Sequence, residues 1–588
     1  MIDPNKYWIQ FLKIQVLAMF LPTTKEEVKK LNWSQLDVIL VTGDSYIDSP
    51  FIGIAIIGKV LVDKGFRVGI IAQPDMDSKT DISRLGEPAL FWGITGGCVD
   101  SMVTNYTALK KRRKKDDYTP GGFNNRRPDR AVIAYSNLVR KYFKNTRPIV
   151  LGGIEASLRR IAHYDFWSNK IRRSILFDAK ADYLLFGMAH NSIVKFAYAL
   201  KDNKNPEALN GVAFISKEKK GIELPSFEAV QKNRDDYIKS FHTFYENNDP
   251  ITAQRLCQQH NDRYLVLNPP EPYSTTKELD HIHSLGFERD LHPFYKKFGT
   301  VKALDTIRFS IPTHYGCYGE CNFCAISVHQ GQTIRFRSEN SIINEAKAIS
   351  QLKNFKGYIT DLGGPTANMY GFECKKKLKK GTCQDKRCLF PEPCKSLVPD
   401  HSKQITLIQK IEKLPGIKKV FISSGIRYDL ILNDKKNGNA YLEKIVKDNV
   451  SGQMKIAPEH TMPHVLSLMG KQNIDMLLQF KNRFDVLSKK AGKKQFLTYY
   501  LIAAHPGCNM KDMDALKQFT TQKLKMTPEQ VQIFTPSPST YSTLMYYTGL
   551  DPFSMTPIFV EKNSVNKEKQ KKAVTKKPPH HDYKIKNP

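Results

Sequence analysis

The sequence predicts an α/β protein in two parts: an N-terminal doubly wound parallel sheet over residues 1–216 and a partial (β/α)6 parallel barrel over 301–550. Two patterns carry that expectation. Short apolar runs, several closed by glycine, alternate with helical stretches through the first part, and six such strand-then-helix repeats follow in the second. Length agrees, because 588 residues with 41% hydrophobic content can bury more than one core.

In the first part, 37–43 reads as a strand, 52–63 as a helix and 67–72 as a second strand, a β-α-β unit. The strand pattern recurs at 131–135, 148–153 and 183–187. Ligands of such sheets sit beyond the carboxyl ends of the strands. Gly152-Gly153 after a strand is similar to the paired glycines of cobalamin-binding domains, making this part cobalamin-binding-like. Those domains carry Asp-x-His-x-x-Gly, whose histidine ligates cobalt. Here the corresponding place reads Asp44-Ser45-Tyr46, without the imidazole, which argues against cobalamin. The glycines then serve a tight strand-to-helix turn.

Residues 217–300 lose clear periodicity and carry several prolines, so they read as a connecting segment with helix inside 227–247. His281, His283 and His292 have no acidic or cysteine partner at ligand spacing and read as packing or surface residues. In the second part the strands fall at 306–311, 357–362, 419–423, 453–457, 496–503 and 531–534. Chemistry in such barrels gathers at the carboxyl ends, where Gly363, Gly364, Ser423, Ser424 and Glu459 lie.

The loop after the first barrel strand holds Cys317, Cys321 and Cys324, spaced C-x3-C-x2-C. Thiolates this close suit a soft metal centre, and three of them leave one iron of a four-iron cube without a protein ligand. A structural zinc knuckle completed by His314 or His329 is the competing reading. Cys374, Cys383, Cys388 and Cys394, in a cysteine-rich insertion at about 370–400, form a second set that could close on zinc or an auxiliary iron-sulfur cluster. Cys98, Cys257 and Cys508 are solitary and read as small buried hydrophobes.

Seven of the ten cysteines fall between 317 and 394, beside lysine-rich sequence, which suits metal ligation in a reducing, cytoplasmic compartment better than disulfides. The net charge of +32 favours polyanions, but the excess is spread along the chain. The run Lys110-Lys111-Arg112-Arg113-Lys114-Lys115 and a basic, disordered tail over 551–588 are the candidates for weak RNA contact. The apolar runs at 9–20 and 51–62 are too short and each carries a lysine, so no membrane partner is expected.

The three-cysteine loop, with Phe323 before its last cysteine, resembles the radical S-adenosylmethionine (SAM) superfamily. The match narrows with Arg308-Phe309-Ser310, Gln330-Gly331, the run from Gly363-Gly364-Pro365 to Tyr370-Gly371, Ser423-Ser424-Gly425-Ile426-Arg427 and Ala457-Pro458-Glu459-His460-Thr461. These strings resemble the uncharacterised YgiQ-type radical SAM proteins over roughly residues 20–550. The resemblance implies one [4Fe-4S] cluster on Cys317, Cys321 and Cys324, with SAM chelating the open iron through its amino and carboxylate groups. It implies carbonyls at Gly363 and Gly364 for the SAM ammonium, although Gly-Gly-Pro stands where the family type is Gly-Gly-Glu-like. Ser423, Ser424 and Glu459 stand at its polar SAM contacts. Reductive cleavage of SAM to a 5′-deoxyadenosyl radical then needs a one-electron donor of the flavodoxin or ferredoxin type, and the substrate is not settled. Two alternatives stay open. An RNA-modifying methylthiotransferase would need three N-terminal cysteines where only Cys98 and Cys257 stand, and a zinc-containing nucleic-acid-binding protein would need no SAM.

Overall fold

The computed structural model describes residues 19–529 and 531–575. Its N-terminal part is a nine-stranded sheet. In chain order its strands are β1 (Val38–Thr42), β2 (Val68–Ala72), β3 (Phe91–Thr95), β4 (Ile149–Gly152), β5 (Tyr183–Leu185), β6 (Val212–Ser216), β7 (Ile222–Leu224), β8 (Leu256–His260) and β9 (Arg263–Leu267). They lie in the order β7-β8-β9-β6-β5-β4-β3-β1-β2. From β2 to β5 all pairings are parallel, whereas β5 to β6, β6 to β9 and β9 to β8 are antiparallel.

The parallel strands are apolar at almost every position because both faces are covered. Alternate residues divide cleanly: Ile39, Val41, Ile71 and Ile94 face one core, while Val38, Leu40, Ile70 and Phe91 face the other. That pattern depends on helices on both sides, which the βαβ crossovers supply.

The second part is a six-strand parallel arc. Its strands are β10 (Ser310–Pro312), β11 (Tyr358–Ile359 continuing as Asp361–Gly363), β12 (Lys419–Val420), β13 (Gln453–Glu459), β14 (Phe496–Ala503) and β15 (Gln532–Ile533). Neighbours pair in parallel, except that the segment after β12, not β12 itself, reaches β13 through an isolated Ile426–Ile456 bridge. One large core fills the space between these strands and their helices, with Ile311, Leu362, Ile456 and Leu501 among its strand residues.

Three expectations need correction. Residues 131–135 are not a strand but the start of the helix Ala131–Tyr142, and the strand beside β1 is β3. The local composition of 131–135 is β-branched and aromatic, yet Val132, Tyr135 and Val139 are buried at helical spacing. Residues 217–300 are more than a connection, because β7, β8 and β9 extend the sheet. Their polar members, such as Gln258 with its side chain on the Pro225 carbonyl and the Ala162 amide, hid the strand pattern.

The third concerns the basic tail. Residues Ser564–Val574 form a helix that packs beside β14 and the helix Met510–Gln522, with Lys567, Gln570 and Val574 buried. Lys567 Nζ donates to the Tyr546 hydroxyl at 2.8 Å, and the Gln570 carboxamide bridges the Ala504 amide and the Cys508 carbonyl. Specific partners for two polar side chains outweigh the lysine-rich composition. Residues 576–588 of that expected tail lie outside the described residues. Among the described residues no helix is long and apolar enough to cross a membrane.

Candidate metal centre and cofactor site

The cysteine loop leaves β10 through the short strand His314–Tyr315, which pairs with Arg335–Phe336. Two glycines permit the path. Gly316 has φ +83°, and a Cβ there would meet the Thr333 carbonyl at 2.6 Å; Gly331, φ +99°, packs against Tyr273. The loop is fixed at both ends: Gln330 accepts from the Gly316 amide at 3.2 Å, and Asn322 is held by the backbone of Leu468 and Met469.

Within that frame Cys317 and Cys321 flank Gly319, and Cys324 lies within electrostatic reach of both thiols. A Cβ on Gly319 would lie 3.2 Å from Cys317 Sγ, 3.6 Å from Cys321 Sγ and 2.8 Å from Arg427 Nη1. Glycine is therefore the residue that leaves this thiol-lined space open. Arg427 donates to Cys321 Sγ at 3.8 Å while its other nitrogens pair with Asp429. Thr366, from the segment after β11, reaches Cys317 Sγ at 3.6 Å. Burial, followed by the neighbouring Cys321 and Cys317, pushes the Cys324 thiol up to about 12. Loading a metal here means displacing a firmly held proton.

Zinc would need its four ligands around one ion, with sulfurs roughly 3.8 Å apart at the usual Zn–S length. Among the described residues no three or more His, Cys, Asp or Glu side chains form a set that could hold a single metal ion. His314 turns Nδ1 to Thr313 Oγ1 at 2.8 Å and does not complete a knuckle. A cluster asks for something else: its cysteines bind different irons and stand farther apart than ligands of one ion. The open loop around Gly319, with a cation beside it for an anionic thiolate cluster, fits that demand.

The strand ends differ in what they leave free. The Gly363 carbonyl accepts from both the Thr313 amide and hydroxyl, at 2.7 and 3.2 Å. No donor among the described residues reaches the Gly364 carbonyl, and a Cβ on Gly364 would strike the His314 ring at 2.6 Å. Ser423 Oγ donates to the Thr360 carbonyl at 2.7 Å, and Ser424 Oγ donates to Asp361. Both serines therefore brace the ends of β11 and β12.

Glu459 is different. It ends β13 at φ +68°, a conformation costly for a residue with a side chain, just after a register shift against β14. Its side chain is largely buried, has no hydrogen-bond partner among the described residues, lies near Cys324, and is held above the usual carboxylate range by burial, against the opposing pull of Lys471 and Arg427.

The second cysteine set comes together as well. Cys374, Cys383, Cys388 and Cys394 line one small cavity, with Lys376, Lys377, Lys386 and Arg387 around it. This insertion docks on the first loop through a buried ion pair: Lys377 Nζ reaches Glu320, between Cys317 and Cys321, at 2.9 Å and donates to Cys388 Sγ at 3.5 Å. Arg387 adds a hydrogen bond to the Glu320 carbonyl. The Glu320–Lys377 link joins residues 57 apart, and nothing in either local sequence announces it.

Elsewhere, Lys110 to Lys115 are exposed, with Lys110 on the Trp167 carbonyl and Arg113 on those of Val103 and Tyr106. Tyr46, at the place of a cobalt-ligating histidine, is fully buried and accepts from the Leu21 amide, stacked on His292.

A family profile described as Radical SAM N-terminal matches residues 20–310. A UPF0313 protein of Fusobacterium nucleatum is 57% identical over 95% of this chain and 99% of its own length. UPF0313 proteins of Thermotoga neapolitana and Methanocella arvoryzae are 48% and 47% identical, over 95% and 92% of this chain and 98% and 90% of their own. Among solved structures, the radical SAM methyltransferase TsrM from Kitasatospora setae, with cobalamin and a [4Fe-4S] cluster bound, is 12% identical over 87% of this chain and 77% of its own, with a TM-score of 0.49. At that level the likeness decides nothing about ligands in this chain.

Proposed function

Since the chain belongs to the UPF0313 family and carries a radical SAM N-terminal region, we propose that this radical SAM enzyme holds a [4Fe-4S] cluster on Cys317, Cys321 and Cys324 and cleaves SAM reductively. The observation that carries the reading is the three-thiol loop held open by Gly319 at the mouth of a six-strand parallel arc. When bound, the cluster supplies one electron to the SAM sulfonium, giving methionine and a 5′-deoxyadenosyl radical. An external one-electron donor of the flavodoxin or ferredoxin type provides that electron.

The chain's own residues position and enclose. The free Gly364 carbonyl would accept from the SAM ammonium and Glu459 would take a polar group of SAM, while Ser423 and Ser424 keep their strand ends in register through Thr360 and Asp361. Arg427 balances thiolate charge, itself fixed by Asp429. Water is kept out by the apolar packing of Tyr318, Met369 and Leu430 behind the loop.

Cys374, Cys383, Cys388 and Cys394 would hold a second centre, iron-sulfur as they stand or zinc if the four thiols close up around one ion, with its thiolate charge met by the four surrounding cations. Changing all four to serine and measuring metal per chain tests this. Loss of metal with SAM cleavage retained marks an independent centre, and unchanged iron and zinc content removes it. An RNA methylthiotransferase reading finds no N-terminal cysteine triad, since Cys98 sits at the sheet edge and Cys257 within β8. The cluster itself is tested by anaerobic reconstitution and assay of 5′-deoxyadenosine with each of the three cysteines changed to alanine.

A further inference from the structure

The carboxyl ends of the N-terminal parallel strands and the mouth of the barrel face each other across a cavity of about 520 Å³. One wall is the sheet edge: Thr42, Thr95 and Gly152 at strand ends, then Asp44, Gly97 and Gly153 just beyond them. The other wall is the barrel side, with His314, Gly364 and Pro365. Gly364 thus lies on the boundary between this space and the proposed SAM site.

The chemistry of the lining is lopsided. Isoleucine recurs in it, including Ile57, Ile154 and Ile326, and it contains no lysine or arginine although the whole chain carries a net +32. Asp44 is the one charged side chain among the described lining residues, and the buried Arg127 neutralises it at 2.7 Å. The Asp44 carboxylate also accepts from the Cys98 amide, so it is not free to bind a cation. A phosphate or carboxylate would find no cationic side chain among the described lining residues, only backbone amides such as those that open the helix Gly53–Asp63.

Two imidazoles stand at the boundary without entering the recognition. His314 is fully buried, its Nδ1 2.8 Å from Thr313 Oγ1 and its Nε2 packed against Gly364 with no accessible surface. His329 Nδ1 has none either. What the cavity offers a ligand is therefore chiefly apolar side chain and backbone.

We infer that this cavity is the substrate chamber, built for a neutral, largely apolar organic molecule or an apolar side chain. The inference rests on the SAM-cleavage reading, because it places the target beside Gly364. It excludes a phosphodiester backbone from the chamber, and the basic character of the chain then serves some other purpose.

The test uses the reconstituted full chain and N-phenyl-1-naphthylamine, a neutral apolar fluorophore. The expected result is saturable one-to-one binding, about tenfold or more weaker in Ile154→Trp and in Ile57→Trp, and not displaced by an oligoribonucleotide. Hydrogen–deuterium exchange on the unaltered protein supplies the arm that needs no variant: bound probe slows exchange at 93–98, 150–154 and 187–193. Protection confined elsewhere, full-strength binding in both folded variants, or displacement by the oligonucleotide overturns the chamber. SAM cleavage is assayed in the same samples. Probe binding at these segments without cleavage refutes the cluster reading alone, and cleavage with probe bound elsewhere refutes the chamber alone.

Discussion

Glu459 is the residue whose conformation asks most plainly for a ligand. A left-handed backbone, a buried carboxyl and the absence of a hydrogen-bond partner are three costs at one position. Lys471 and Arg427 offset the burial only in part, and a polar group of SAM beside Cys324 would offset more. Glu459→Gln keeps the shape and removes the charge. A hydrogen bond to a charged group is worth about 1.5–3 kcal/mol, so SAM should bind roughly 10- to 100-fold more weakly. Equilibrium dialysis checks this, with iron per chain expected unchanged; equal SAM affinity would assign Glu459 to structure alone. Its place at a strand end was legible in the sequence, but its strain was not, because backbone conformation depends on the register shift between β13 and β14. The serines show the reverse, since Ser423 and Ser424 stand where expected yet spend their hydroxyl protons on Thr360 and Asp361.

At the scale of elements, the cysteine-rich insertion and the cluster loop behave as one unit. Lys377 is 2% exposed and spans Glu320, the Gln332 carbonyl and Cys388 Sγ, and the apolar group of Tyr318, Phe372, Cys374 and Leu389 closes over it. Removing one partner of a buried pair strands the other charge, at a cost of about 3–5 kcal/mol. Lys377→Met should therefore lower the unfolding midpoint and the iron content after reconstitution. Adding Glu320→Gln should restore much of both, as a double-mutant cycle would measure. Independent, additive losses would show that the two loops are not coupled through this pair. The two cysteine sets were each readable from spacing, but their junction was not, because no local pattern encodes a contact between an ion pair 57 residues apart. The final helix teaches a related lesson: lysines at 567, 569, 571 and 572 read as a solvated tail until Lys567 and Gln570 find buried partners.

Across the whole molecule, buried neutral histidines set the response to acid. His163 and His283 are brought down to about 4, and His260 and His505 to about 3, each chiefly by burial; His260 lies stacked against Phe177 and Phe227. Unfolded histidine titrates near 6.5. As pH falls from 6.5 towards 4 the unfolded chain therefore takes up protons that the folded chain refuses, and stability drops, by up to about 1.4 kcal/mol per pH unit for each such group. Asp48, raised to about 6 by burial, and Glu155 and Glu459, also raised by burial, work the other way over part of that window, but the lowered histidines, His190, His314, His329 and His460 among them, outnumber these carboxyls. Thermal unfolding should thus show a midpoint that declines steadily below pH 6.5; a flat or rising midpoint between 6.5 and 4.5 would contradict this reading. The parallel sheet and the barrel were legible because strands buried on both faces read as unbroken apolar runs. The mixed extension through β9, β8 and β7 was not, since its polar side chains are satisfied only by the folded neighbours.

The measurement closest to the central claim is 5′-deoxyadenosine formation by the anaerobically reconstituted full chain, given SAM and a one-electron reductant, with iron per chain determined in parallel. The account predicts 5′-deoxyadenosine from the unaltered protein and none from Cys317→Ala, Cys321→Ala or Cys324→Ala, each with iron lost from the first site. A colourless protein that takes up zinc on these cysteines and leaves SAM intact would contradict it.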